Sequence, residues 1–123
     1  MKNKKQIKWL NKLAKHDYPG AVSYLNLIYP PNVVSKLIKQ LKRSPMVYFK
    51  AKDIFRASQL SLLGVSNSHV ITNVEKIDKG IALSPILLVR DNGTVKTIIA
   101  DGYHRMCAVY TFDEDVLIPC KIV

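Results

Sequence analysis

Apolar and polar positions divide the chain into a helical first part and a mixed remainder. In the first 45 residues, apolar side chains recur every three or four positions with lysines between them, which is typical of amphipathic helices. Prolines separate these segments and end them. Three helices are predicted, over residues 4–16, 21–28 and 32–43.

After residue 45 the pattern becomes β-rich, with short apolar runs separated by turn residues. Asp91-Asn92-Gly93 is a hairpin-type turn, and Pro119 is expected to place the last strand at a sheet edge or a bulge. Residues 52–63 fit either a continued strand or a short helix. The other predicted elements are strands over residues 46–51, 86–89, 95–100 and 116–123, and helices over residues 68–79 and 103–111.

These elements predict an α+β fold. Residues 1–45 form a basic helical N-terminal segment, and residues 46–123 form a small mixed β-sheet with packed helices. At 123 residues with 48% hydrophobic residues, the chain fits one compact unit. No apolar run reaches the roughly 18 residues that a membrane span needs, and no secretory signal is expected, so the default location is cytoplasmic. The widely spaced Cys107 and Cys120 indicate neither a zinc ribbon nor a disulfide framework.

The net charge of +10 is concentrated in the first half of the chain. Residues 1–52 carry twelve basic residues and one acid, Asp17, whereas residues 53–123 are close to neutral. The basic helices can hold nucleic-acid phosphates, bind an acidic partner or an anionic membrane surface, or present ordinary solvated faces. The nucleic-acid interpretation assigns the contacts to four lysines on the first helix: Lys5, Lys8, Lys12 and Lys15.

One segment combines several groups that suit phosphate chemistry. Asp101-Gly102-Tyr103-His104-Arg105, here called the box, leads from a buried strand through a glycine turn into a helix. A helix start offers free N–H groups and a partial positive charge, and Gly102 permits close approach to the backbone. Arg105 offers donors suited to phosphate, and His104 can donate a hydrogen bond or exchange a proton. Asp101 could hold Mg²⁺, orient a hydroxyl or accept a proton.

A purely structural interpretation of the box fits the same residues. Asp101 could be only a helix cap, Gly102 only a turn, and Arg105 a salt-bridge partner for the acidic loop at residues 113–115. Tyr103 could stack on a base, close the pocket or simply pack at the helix start.

The box and its two flanking strands resemble the ParB/sulfiredoxin superfamily, over about residues 46–123. In that superfamily a Gly-x-x-Arg box opens a helix and cradles nucleotide phosphates. The wider chain, including residues 48–54, also resembles a group of small uncharacterised bacterial ParB-like proteins. The resemblance implies a ParB/sulfiredoxin-like fold and a nucleotide, with Mg²⁺ as its accompanying ion.

The branches of the superfamily differ at residues that this chain shows. Sulfiredoxins resemble this box but place a reactive cysteine after its glycine, where this chain has Tyr103, so sulfiredoxin activity is not expected. Chromosome-partitioning ParB proteins add a helix-turn-helix domain after the fold, so operator binding of that kind is not expected either. The ADP-dependent free serine kinases carry an Asp-Gly-His-His-Arg box, which differs from residues 101–105 at one position.

The favoured hypothesis is binding of a nucleotide or another phosphorylated small molecule at the box, with phosphoryl transfer or hydrolysis as an open possibility. Asp101 and His104 would be the catalytic groups, and the phosphate contacts would come from Gly102, Tyr103, His104, Arg105, Lys52, Arg56 and Ser58. The last three follow the first strand and would face the box across a cleft, or they would form a solvated turn. The alternatives are a non-enzymatic nucleic-acid-associated accessory protein that binds through its basic helices, and a protein-interaction module with a vestigial pocket.

Overall fold

The structure, a computed structural model, describes residues 6–123 and consists of helices and one four-stranded sheet. It confirms the predicted mixed α+β architecture. Within the described residues, no helix has the length and apolar character needed to cross a membrane. The elements follow the chain in this order: α1 Asp17–Leu25, α2 Pro31–Arg43, β1 Val47–Lys50, α3 Ala51–Ser58, α4 Ser68–Asp78, β2 Ile86–Asp91, β3 Lys96–Asp101, α5 Tyr103–Phe112 and β4 Leu117–Ile122.

The strands form a mixed sheet in the order β1-β4-β2-β3. β4 is antiparallel to β1 and parallel to β2, while β2 and β3 form an antiparallel hairpin. The prediction that Pro119 places β4 at an edge or a bulge is wrong, because β4 is an interior strand. Its pairing with β2 begins only at Cys120, so the missing N–H of Pro119 removes no hydrogen bond from that ladder.

The sheet is the middle layer of the molecule, and β2 is buried on both faces. Ile86 and Leu88 join an apolar cluster under α3, α4 and α5, whereas Leu87 and Val89 join a second cluster under α1 and α2. This alternation explains the continuous apolar run of β2, since a strand covered on both sides needs apolar residues at every position. The helices of the N-terminal half thereby share a core with β2 and β3.

The prediction of a helix over residues 4–16 is wrong for the part that the structure describes. Residues 6–16 are not helical, and residues 4 and 5 lie outside the described range. Trp9 forms an isolated parallel bridge with Leu83, whose N–H donates to the Lys8 carbonyl and whose carbonyl accepts from the Leu10 N–H, both at 2.8 Å. Around this bridge the side chains alternate with period two: Ile7 and Trp9 pack on the cluster under α3–α5, and Lys8 and Leu10 are exposed.

The predicted lysine face of the first helix is therefore not formed by the residues that the structure describes. Lys8, Lys12 and Lys15 are exposed on a non-helical segment, and Lys5 lies outside the described residues. The basic helix of the N-terminal half is α2, which buries Val34, Ile38 and Leu41 and exposes its basic residues, namely Lys36, Lys39, Lys42 and Arg43.

Candidate functional site

The box lies where β3 passes into α5, and Gly102 makes the turn. Its φ of +107° is strongly unfavourable for residues with a Cβ atom. A Cβ at this position would also lie 2.2 Å from Cγ2 of Ile86 and 3.0 Å from Nη2 of Arg105. The structure thus gives two reasons for a glycine here, the backbone conformation and the packing of Ile86, and neither of them involves a ligand.

The first turn of α5 has unused hydrogen-bond donors. Gly102 is its N-cap, and no side chain of the described residues caps it, whereas the N–H of Met106 already bonds to the Gly102 carbonyl. The start of a helix carries a partial positive charge, and its unpaired N–H groups can bind an anion. Residues 101–105 are half-buried, so this turn is partly shielded from solvent.

Arg105 is directed toward two carboxylates of the protein. Its Nη2 donates to Oδ2 of Asp101 at 3.0 Å and to the carbonyl of Pro85 at 3.2 Å, and its Nη1 lies 3.5 Å from Oδ1 of Asp17. The Arg105 side chain is 14% exposed. The guanidinium therefore holds the end of β3, the segment before β2 and the start of α1 together. It is not presented as an open fork to a ligand.

Asp17 is the residue of this site that the sequence analysis missed. It is fully buried at the first position of α1, and it accepts a short hydrogen bond from the hydroxyl of Ser84. Ser84 in turn accepts from the N–H of Ala14 at 3.0 Å. Its one sequence signal is that it is the only acidic residue among the first 52. In the structure it supplies a second carboxylate next to Asp101.

Burial raises the pKa of Asp101 from its ordinary value of 3.8 to about 6, and the neighbouring carboxyl of Asp17 contributes to the increase. Arg105 opposes that increase. The backbone of α1 approaches this carboxyl closely, since a Cβ added to Gly20 would lie 2.8 Å from Oδ1 of Asp101. Asp101 is thus a carboxyl group that changes its protonation state near pH 6 inside a packed cluster.

Two histidines meet at the starts of two packed helices. His104 is the second residue of α5 and His69 is the second residue of α4, and their ring centroids are 4.9 Å apart. Burial lowers the pKa of His104, and the neighbouring His69 and Arg105 lower it further. The α4 start is capped by Asn67, because Asn67 Oδ1 accepts from the N–H groups of His69 and Val70.

The remaining box residue, Tyr103, connects the turn to the loop after α3. Its hydroxyl donates a short hydrogen bond to the carbonyl of Ser61, and its ring centroid lies 5.5 Å from that of His104.

Both cysteines are free and buried, and burial raises the pKa of Cys107 and raises that of Cys120 to about 12. Neither thiol is therefore in the thiolate form near neutral pH.

Three predicted phosphate ligands contact other groups. Lys52 pairs with Asp115 at 3.0 Å, in the acidic loop. Arg56 is 79% exposed and lies 3.8 Å from Asp53. The hydroxyl of Ser58 is buried and donates to the Phe55 carbonyl at 2.9 Å. These contacts do not assemble the three residues around the start of α5.

A resident metal ion has no preformed ligand set in the described part of the chain, which contains no group of three or more His, Cys, Asp or Glu side chains that could hold one. Asp101 and Asp17 form a pair, but Arg105 already neutralises part of their charge.

A widely open groove of about 540 Å³ lies away from the box, between α3 and the β2–β3 hairpin.

Comparisons with known proteins identify no family for this chain: no protein-family model, no curated protein and no solved structure matches it.

Proposed function

We propose that the chain binds a phosphorylated small molecule, with a nucleotide as the leading class, at the start of α5. The observation that supports this best is the uncapped first turn of α5, whose N–H groups lie next to His104 and His69. An anion would complete the hydrogen bonds of that turn and interact favourably with the helix dipole. The nucleotide class follows from the resemblance of the box to the ParB/sulfiredoxin superfamily.

The two histidines are the polar side chains best placed to contact such a ligand. Because burial, together with the neighbouring His69 and Arg105, lowers the pKa of His104, its ring is neutral near pH 7 and can donate one hydrogen bond. A phosphate placed beside it would favour the doubly protonated ring. Binding should therefore take up a proton and tighten as the pH falls from neutral.

Arg105 and Asp101 have positioning roles in this proposal. Arg105 fixes the end of β3 against α1 and the segment before β2, so that the turn at Gly102 presents the N–H groups of α5. Asp101 accepts from Arg105, and Asp17 provides the second carboxylate. If phosphoryl transfer or hydrolysis takes place, these two groups are the candidates to receive a proton, and Mg²⁺ would enter with the phosphates of the ligand.

The test is calorimetric titration with ADP, ATP, pyrophosphate and phosphoserine, with and without Mg²⁺, of the wild-type chain and two histidine variants. His104→Gln should weaken binding by about ten- to a hundredfold, the effect of losing one hydrogen bond to a charged group, and should remove the pH dependence. His16→Gln is the matched control, because His16 is exposed and its ion pair among the described residues is with Asp17, 3.4 Å away, and not with a residue of α5. Arg105→Ala is a poor test, since it would leave the buried carboxylate of Asp17 and the half-buried carboxylate of Asp101 without their cation.

The proposal is wrong if none of these ligands binds, or if His104→Gln and His16→Gln have the same effect. In that case the nucleic-acid and protein-interaction interpretations remain, and the exposed lysines decide between them. Neutralising Lys8, Lys12 and Lys15 together should reduce the salt dependence of DNA binding if those lysines hold phosphates. An unchanged salt slope would leave only the protein-interaction interpretation.

A further inference from the structure

A second candidate site lies at the opposite end of β3 from the box. There the sheet and α3 separate and leave a pocket of about 210 Å³, with a floor made by the apolar side chains of Phe49, Ile54, Leu88 and Ile122. These residues come from β1, α3, β2 and β4. The pocket opens into the wider groove between α3 and the β2–β3 hairpin, because Asp53, Ala57, Arg90 and Thr97 line both.

The mouth of this groove carries positive charge that the protein does not neutralise. Arg56, Arg90 and Lys96 line it together with Asp53 and Asp91. Arg56 lies beside Asp53, and Asp91 accepts a hydrogen bond from Thr94. Among residues 6–123, no ion pair involves the exposed side chains of Arg90 and Lys96, which belong to adjacent strands of the hairpin. Lys96 lies opposite Asp91 in the strand register, on the other face of the hairpin from Arg90, whose register partner is Thr97. Among the described residues, Arg90 is therefore the one cation that lines the apolar pocket.

The rim of the groove also holds an unusual backbone feature. Gln59 and Val95, at φ values of 57° and 55°, are the two non-glycine residues with positive φ in the described part of the chain. They face each other, and the side-chain amide of Gln59 donates to the Val95 carbonyl at 3.4 Å. A β-branched residue in this conformation is rare, and such residues concentrate at binding sites.

We propose that this groove binds a small amphipathic anion, with a ring-sized apolar group on the floor and a carboxylate or phosphate on the guanidinium of Arg90. The volume suits this ligand, because a cavity of about 150 Å³ already accepts a benzene ring. Planar donors such as the Arg90 guanidinium bind carboxylate and phosphate oxygens in pairs. The site is separate from the start of α5 and does not depend on the function proposed for it.

The test is an NMR titration of the ¹⁵N-labelled chain with phenylacetate and phenyl phosphate, which carry the same ring and different anions. Benzyl alcohol is the neutral probe, and inorganic phosphate is the probe without a ring. Phenylacetate, phenyl phosphate or both should shift the amide signals of Ala57, Arg90 and Thr97 at millimolar concentration. Benzyl alcohol and inorganic phosphate should bind there at least about tenfold more weakly, since each lacks one of the two contacts.

Two variants make the test specific. Arg90→Gln should weaken the aromatic anions about tenfold by removing the charged contact, while Arg43→Gln, an exposed arginine at the end of α2, should have no effect. Ala57→Trp should block the pocket without changing the amides of α5. The proposal is refuted if neither anion shifts the groove amides, if benzyl alcohol binds as tightly as the anions, or if the two arginine variants weaken binding equally. Because the amides of Thr97 and His104 report the two sites separately, failure here is distinguishable from failure at the start of α5.

Discussion

The substitution Asp17→Asn tests how the cluster around Arg105 responds to pH. The pKa of Asp101 is about 6 in the folded chain and close to its ordinary 3.8 when the chain is unfolded. A carboxyl group whose pKa is raised by folding contributes stability that is fully present below pH 3.8. That contribution is lost as the pH rises through about 6.

The magnitude follows from the same two values. The difference between 3.8 and about 6 corresponds to about 3 kcal/mol of unfolding free energy across this window. Because the Asp101 side chain is 22% exposed, solvent screening reduces the expected change to about 2 kcal/mol. Asn has nearly the shape of Asp and can still accept from Ser84, so Asp17→Asn removes chiefly the negative charge. In this variant Arg105 still lowers the pKa of Asp101, while the charge of Asp17 no longer raises it, so the pKa of Asp101 should fall.

Urea unfolding at intervals between pH 4 and pH 7 measures the effect. The wild-type chain should lose stability between pH 4 and pH 6 from this group, and the loss should be markedly smaller in Asp17→Asn. Glu75→Gln, which removes an exposed carboxylate on α4, is the control and should keep the wild-type slope. If Asp17→Asn also keeps that slope, the charge of Asp17 does not control the protonation of Asp101, and this prediction is wrong.

Two further substitutions test the turn and the N-terminal segment. Gly102→Ala should lower the free energy of unfolding by about 2–4 kcal/mol, because it places a Cβ against Ile86 at a positive φ. In the control Gly64→Ala the new Cβ meets no atom within 4 Å, so the stability should hardly change. Equal melting temperatures for the two variants would contradict this expectation. Trp9→Ala should lower the free energy of unfolding by about 2 kcal/mol and speed hydrogen exchange at the Leu83 N–H. Leu10→Ala, at an exposed position, should change neither the stability nor this exchange rate. A Leu83 amide that stays protected in Trp9→Ala would show that the bridge does not depend on the indole.

The elements that the sequence predicts well are those with a strong local pattern. The spacing of Val34, Ile38 and Leu41 places α2 within one residue of its observed bounds, because a solvent-facing helix must repeat at that period. The apolar run at residues 86–89 marks β2 because that strand is covered on both faces. In each case the local pattern and the tertiary environment require the same residues.

The segment before α1 shows where local pattern is insufficient. Ile7, Leu10 and Leu13 have helical spacing, yet Ile7 and Trp9 also alternate with exposed residues, as in a strand. The choice between the two periods depends on the backbone bonds to Leu83, which lies far along the chain. Sequence periodicity cannot contain that information, since both conformations satisfy it over so few residues.

The box shows the same limit for chemistry. Its residues predict a helix start with donors for phosphate, and the start of α5 has these donors, but the partner of Arg105 is set by α1. Asp17 and Ser84, which are 67 positions apart, meet beside that guanidinium only after the N-terminal helix packs on the sheet. The positive charge of Arg105 is thus largely neutralised as long as α1 is docked and Asp101 is ionised. Protonation of Asp101 near pH 6 restores part of that charge. The electrostatic potential at the start of α5 therefore depends on a helix that the box motif does not contain.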